Sequence, residues 1–295
     1  MTNTEDNVVM AAVPVAEVTA SALELGTGGR WRRALGLLDA TAVDEEASRV
    51  RLALTAAEVA LESDWFAGTA LADDRLSAAE KVCATADEPG HAALWTLGFL
   101  RLRHDYAAQI RSGGTYRLGP DGKDPAVTAE LRGRAVALTE RAPDEVRRGW
   151  AHFYLGLITE NLFAERDAAH PHFAAALRGG EGPDGDGDGG DGLLAREALR
   201  HLGDHDHDAG RDAQALSRWR LAADVGARAG AVPGTLSQQL LLAVLARDSG
   251  DEAGAVALAG AAARWAAAIG ADDLAARCIS FLDGADPTAL PSDAS

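Results

Sequence analysis

Cysteine is nearly missing: the 295 residues hold two, Cys83 and Cys278, far apart in sequence. That excludes a disulfide framework and any CxxC redox or zinc motif. Both read as small core residues in a reducing compartment. Aromatic residues are also sparse, at 5%. With little apolar–polar alternation beside them, this argues against a β-sandwich, whose strands want β-branched and aromatic side chains. Positive charge is short as well: 28 Lys and Arg stand against 45 Asp and Glu, for a net charge of -17. A phosphate backbone would be repelled, so nucleic acid is not an expected partner. The acidity itself serves solubility. No apolar run reads as a membrane span. The Ala-rich stretch 253–269 contains Gly260 and Arg264 and is flanked by acids, so it reads as a tightly packed helix. The first residues carry no basic segment before their short apolar run, so no secretory signal is expected. These absences together predict a cytoplasmic protein without a membrane partner. The chemical motifs are missing too: there is no phosphate loop with its Lys-Ser/Thr and no Gly-x-Ser-x-Gly elbow. No catalytic residue, cofactor or metal is therefore expected, and the chain is not read as an enzyme.

What is present is alanine in helical rhythm. From Leu193 to Gly230 two patterns meet at Ala209-Gly210. Leu194, Ala198, Leu199 and Leu202 fall on one face, and so do Ala215, Trp219, Ala222 and Val225. Gly210 suits a left-handed helix end, and Asp212 suits the positive end of the next helix. One such pair cannot bury its apolar face, so copies are expected. They exist. Gly250, Ala255 and Ala262 repeat Gly210, Ala215 and Ala222, while Leu155-Gly156 with Ala168 and Ala175 repeat Leu202-Gly203 and its partners. Gly29-Arg30 before Ala34 is an earlier trace.

The set Leu202, Gly203, Gly210, Ala215, Trp219 and Ala222 resembles the tetratricopeptide repeat family. In that pattern small residues stand where two helices cross and an aromatic fills the gap between pairs. The spacing exceeds the family's roughly 34 residues, the closing Pro is absent, and Ala holds several large positions. The resemblance is to a long-helix, divergent branch. It implies an all-α fold: a right-handed superhelix, or α-solenoid, of about six antiparallel pairs plus a C-terminal capping helix. The expected layout is a disordered start (1–12), one repeat domain (13–283) and a disordered tail (284–295). Within the domain, 113–125 is a turn-rich loop insertion, either a rim element or a tolerated surface loop, and 179–192 is a flexible acidic Gly/Asp linker. Pro233-Gly234 is expected to break the chain, with Thr235 and Gln238 forming a capping box.

Two clusters invite a metal. Asp184, Asp186, Asp188 and Gly189 begin like a calcium loop, but neither register supplies the closing Glu. His201, Asp204, His205 and Asp208 share one side of a helix, a spacing suited to a divalent ion. A solvated helix end is the simpler reading. A metal-dependent enzyme on residues 201–208 remains the alternative. A self-associating structural protein using the face of 253–269 is another.

The family resemblance implies that first helices line a concave groove. It places there Trp95, Phe99 and Arg103, then Trp150, Phe153, Leu157, Glu160 and Asn161. Glu197, Arg200, Asp204, His207, Asp208 and Arg247 follow. Trp95 and Trp150 fit core and groove equally. Such a surface suits an extended peptide or protein segment, which makes a peptide-binding scaffold, adaptor or regulatory sensor the expected function.

Overall fold

The computed structural model describes residues 13–112, 115–182 and 190–285. Among these, thirteen helices follow one another: α1 (Val15–Thr27), α2 (Trp31–Asp39), α3 (Glu46–Ala67), α4 (Ala72–Thr85), α5 (His91–Ile110), α6 (Pro125–Glu140), α7 (Glu145–Phe163), α8 (Arg166–Glu181), α9 (Gly192–Asp208), α10 (Asp212–Arg228), α11 (Val232–Asp248), α12 (Glu252–Ile269) and α13 (Asp272–Leu282). One two-residue ladder, β1 (Arg111–Ser112) with β2 (Thr115–Tyr116), opens the loop after α5. Its far side is tied down, because the Gly119 N–H donates to the Asn161 carbonyl on α7 at 2.8 Å. Six helix pairs and a closing helix make an all-α solenoid, as the repeat pattern implies.

The helices stop where the backbone can turn left-handed. Gly210, Gly230, Gly250 and Gly270 recur every twenty residues, each with φ between 70° and 88°. Past each glycine, the next N–H donates to the carbonyl five residues back: Arg211 to Asp206, Ala231 to Gly226, Asp251 to Ala246 and Ala271 to Ala266. That is the closing bond of a Schellman cap. The forty-residue copies are thus built from a twenty-residue unit of one helix and one turn.

Helices α3, α5, α7 and α9 touch in succession, whereas α4, α6, α8 and α10 pack mainly on their chain neighbours. The odd helices form an inner layer and the even ones an outer layer. Small-residue crossings join the layers. A Cβ on Gly203 of α9 would lie 2.3 Å from the Trp219 indole of α10, and one on Gly156 of α7 would lie 2.8 Å from Phe173 of α8. The residue opposite Gly203 is therefore the aromatic, rather than the Ala215 that the repeat pattern suggests.

The first and last helices of the array meet. One apolar cluster contains Ala22, Trp31 and Phe66 from α1 to α3 together with Leu240, Ala262 and Phe281 from α11 to α13. Inner helix α13 packs on α3, and Arg111 pairs with Asp273 across the seam. The inner layer is closed on this side.

Three local expectations change. Pro233 and Gly234 do not break the chain: α11 starts at Val232, and Pro233 sits in its first turn, where its missing N–H costs nothing. Thr235 and Gln238 are consequently inside the helix and form no capping box. Gly179 and Gly180 belong to α8, where a Cβ on Gly180 would lie 2.4 Å from the Ala195 nitrogen. These two glycines read as linker composition but are a close helix crossing. Glu181 likewise ends α8, and Asp191 caps α9, its side chain accepting from the Leu193 and Leu194 N–H groups, so only the calcium-like run at 183–189, with residues 1–12 and 286–295, lies outside the described residues.

Candidate functional site

Charged and polar side chains gather on the inner layer. Glu58 and Glu62 stand one turn apart on α3, a helix otherwise buried on most sides. Helix periodicity aims both at Arg103 of α5. Glu62 accepts from Arg103, Glu58 lies 3.9 Å from the same guanidinium, and Arg103 Nε donates to the Tyr154 hydroxyl of α7 at 3.1 Å. Glu58 and Glu62 keep 39% and 36% of their side chains accessible. Burial among the packed helices nevertheless raises the Glu58 carboxyl above its ordinary pKa, with Arg103 opposing and Glu62 adding to the rise. Protein surrounds the group on several sides while water still reaches it. Burial works against the charge of Arg103, but Tyr154, Glu62 and Glu58 outweigh it, so the guanidinium is held charged more firmly than usual.

The wall continues along α7 and α9. Asn161 donates to the Tyr106 hydroxyl at 2.6 Å. Arg196 pairs with Glu197 at 2.6 Å, and Arg200 pairs with Asp204 at 3.1 Å. Arg196 is itself buried and lies flat on Gly234, where a Cβ would come within 2.6 Å of its guanidinium carbon. Burial lowers its pKa. Asp204 also accepts from the Trp219 indole at 3.0 Å. Burial lifts its carboxyl to about 6, with Arg200 opposing.

The expected groove residues divide into two sets. Trp95 stacks on Phe99 at 5.1 Å and donates its indole N–H to the Leu138 carbonyl. Both are buried, as are Phe153 and Leu157. These four sit in the packing between helices, because an aromatic on an inner helix fills the gap to the next pair before it reaches the concave side. Trp150 is half-buried, and its indole donates to Asp191 at the start of α9 at 2.8 Å. Arg103, Glu160, Asn161, Glu197, Arg200 and Asp204 are the polar set that the inner helices bring together. Glu160 pairs with Arg166 and lies 3.4 Å from His205. His207 sits between Asp212 and Asp248, and Asp208 pairs with Arg166. Arg247 stacks on Phe281 at 3.7 Å and binds Glu252, fastening α11 to its neighbours rather than standing free on the wall. Glu58, Glu62, Tyr106, Tyr154 and Arg196 were absent from the expected set. The available signal was a pair of acids four apart inside the apolar α3.

The residues expected as an alternative metal cluster are otherwise engaged. The His201 ring stacks on Phe173 at 4.7 Å and 11°, and His205 meets the same ring edge-on. Burial, with Arg200 beside it, holds the His201 pKa well below its usual value. Asp204 is held by Trp219 and Arg200, and Asp208 by Arg166. Among the described residues no three His, Cys, Asp or Glu side chains are placed to hold a metal ion. A cavity of about 410 Å³ lies beside this end of α9, lined by Arg166, His170, His205, Asp208 and Arg211. A second, of about 250 Å³, lies between α3 and α5 beside Trp65, His104 and Arg111. No described helix is long and apolar enough to cross a membrane.

No protein-family model matches this chain, and no curated protein matches it. One solved structure, the crystal structure of Rap protein complexed with Competence and Sporulation Factor, is similar over 91% of this chain and 86% of that one. The identity is 11% and the TM-score 0.42.

Proposed function

We propose that this chain is a non-enzymatic helical scaffold that holds a peptide or a segment of a partner protein against its concave inner wall, as an adaptor or regulatory sensor. The observation that supports this reading is the polar wall itself. Glu58, Glu62, Arg103, Tyr154, Glu197, Arg200 and Asp204 come from four successive inner helices, and they remain partly open to water. Helix packing alone does not call for them: replacing buried ion pairs by apolar residues of similar size is often neutral or stabilising. Residues that stability does not require, gathered on one concave face, suit recognition. Alternating carboxylates and guanidiniums with a phenol and an amide match the backbone and mixed side chains of an extended peptide.

The test is selection from a random peptide library on the intact protein, followed by calorimetry with the best peptide. Substituting Glu62→Gln with Arg103→Met should weaken binding at least about tenfold, as loss of a central contact does. Substituting the exposed outer residue Arg220→Ala should leave it unchanged. A library that yields no binder, or a binder indifferent to the inner-wall pair, rejects the reading.

A further inference from the structure

Five of the chain's eight histidines lie on α8 and its two neighbours around one seam: His152 of α7, His170 and His172 of α8, and His201 and His205 of α9. Two of their contacts are made by neutral rings. Between α7 and α8, Nδ1 of His152 lies 3.3 Å from Nδ1 of His172, with both residues half-buried and the ring centroids 5.4 Å apart. Two ring nitrogens that face each other share at most one proton; a second sets N–H against N–H. The charged groups acting on this pair are Arg148, itself paired with Glu145, and Arg178, and both guanidiniums oppose further positive charge. Between α8 and α9, His201 lies flat on Phe173, and its Nε2 meets an Arg200 N–H. In that contact the nitrogen can only accept. Arg166 of α8, Arg196 and His205 also face this ring, while Asp204, 3.9 Å away, is already engaged by Arg200 and Trp219. His205 differs, because the Glu160 carboxylate lies 3.4 Å from its Nε2 and suits a charged ring. His170 meets His205 edge-on at 5.5 Å, with Asp206, Arg211 and Arg218 around it.

We propose that α8 is an acid-sensitive wedge: protons taken up by the His152–His172 pair and by His201 loosen it from α7 on one side and α9 on the other. The sign follows from linkage. Burial holds both rings of the pair below the usual histidine pKa, and burial with Arg200 holds His201 well below it. The unfolded chain then binds more protons than the folded one, so stability present above the unfolded value of about 6.5 is lost as pH falls below it. The movement reaches the inner wall, because Arg166 in the first turn of α8 pairs with Glu160 of α7 and Asp208 of α9. These links open when α8 shifts. The device stands independently of what the wall binds.

Urea unfolding of the intact chain at about pH 7.5 and about pH 5 tests this, with the change in midpoint compared between wild type and variants. The variant His152→Gln, His172→Gln should lose less midpoint on acidification than wild type. So should His201→Phe, which keeps a flat ring on Phe173, and combining the three changes should remove more of the loss than either alone. His205→Gln should lose as much as wild type, since Glu160 offers that ring a carboxylate. The raised carboxyls of Glu58 and Asp204 act in the opposite sense, so the difference from wild type is the quantity read. If His201→Phe is unfolded at the higher pH by circular dichroism, the His152/His172 variant decides alone. Hydrogen exchange supplies the location: on acidification, protection factors of wild-type α8 amides should fall more than those of α3. Variants whose midpoints fall as far as wild type's, or protection lost equally from α3 and α8, would overturn the proposal.

Discussion

At the scale of single residues, the crossing of α9 and α10 turns on Gly203. Glycine inside an exposed helix is a liability, and replacing it with alanine should gain roughly 0.5–1 kcal/mol. Here a Cβ would meet Cδ1 and Nε1 of Trp219 at 2.3 Å. That indole has no room to yield: Trp219 is fully buried, and its N–H donates to Asp204 and to the Arg200 carbonyl. Overpacking of this kind costs about 1–3 kcal/mol. Gly203→Ala is therefore expected to destabilise by about that amount in urea unfolding, and Gly203→Leu by more. A gain on Gly203→Ala would place the site on the surface. Much of this crossing was legible in the sequence, because small and large residues alternate at fixed spacing in Leu202, Gly203, Ala215 and Trp219. The direct partner was not, because spacing names the small positions without saying which large side chain each one faces. The facing of Trp95 and Phe99 was hidden for a related reason. An aromatic on an inner helix gives the same pattern whether it points to the concave side or to the next pair.

At the scale of elements, turns and caps decide where each helix ends. The glycines at 210, 230, 250 and 270 were visible as letters, and the forty-residue copies were read from two of them. The twenty-residue unit emerges once every second turn is seen to close in the same way. Gly250 has open space around it but a φ of 88°, which side chains other than glycine rarely adopt. Gly250→Ala should cost about 1–2 kcal/mol from the left-handed backbone alone. Gly36 of α2 also has nothing within 4 Å, but it is an interior helical residue. Gly36→Ala should instead gain roughly 0.5–1 kcal/mol. Opposite signs from two uncrowded glycines in thermal melts would confirm that conformation separates them; equal signs would refute it. Composition misled at two elements. Pro233 is a breaker in a helix interior and harmless in a first turn, and local sequence does not say which turn it occupies. Gly179 and Gly180 share the composition of a linker, but their role comes from Gly149 and Ala195, which they allow to approach.

At the scale of the whole molecule, the closure of α13 on α3 was not legible. It joins residues such as Arg111 and Asp273, 162 positions apart, and no local period encodes such a meeting. The central claim is that the polar inner wall exists for recognition and not for stability. The most direct measurement is the urea unfolding free energy of the variant Glu58→Gln, Glu62→Gln, Arg103→Met. Removing both carboxylates together with the guanidinium leaves no buried charge unpaired at this point. If the network serves recognition, the variant should be as stable as wild type or up to about 1–4 kcal/mol more stable, while losing the selected peptide. A loss of about 3 kcal/mol or more, with the wild-type circular dichroism spectrum retained, would show that these charges hold the solenoid together and would contradict the account.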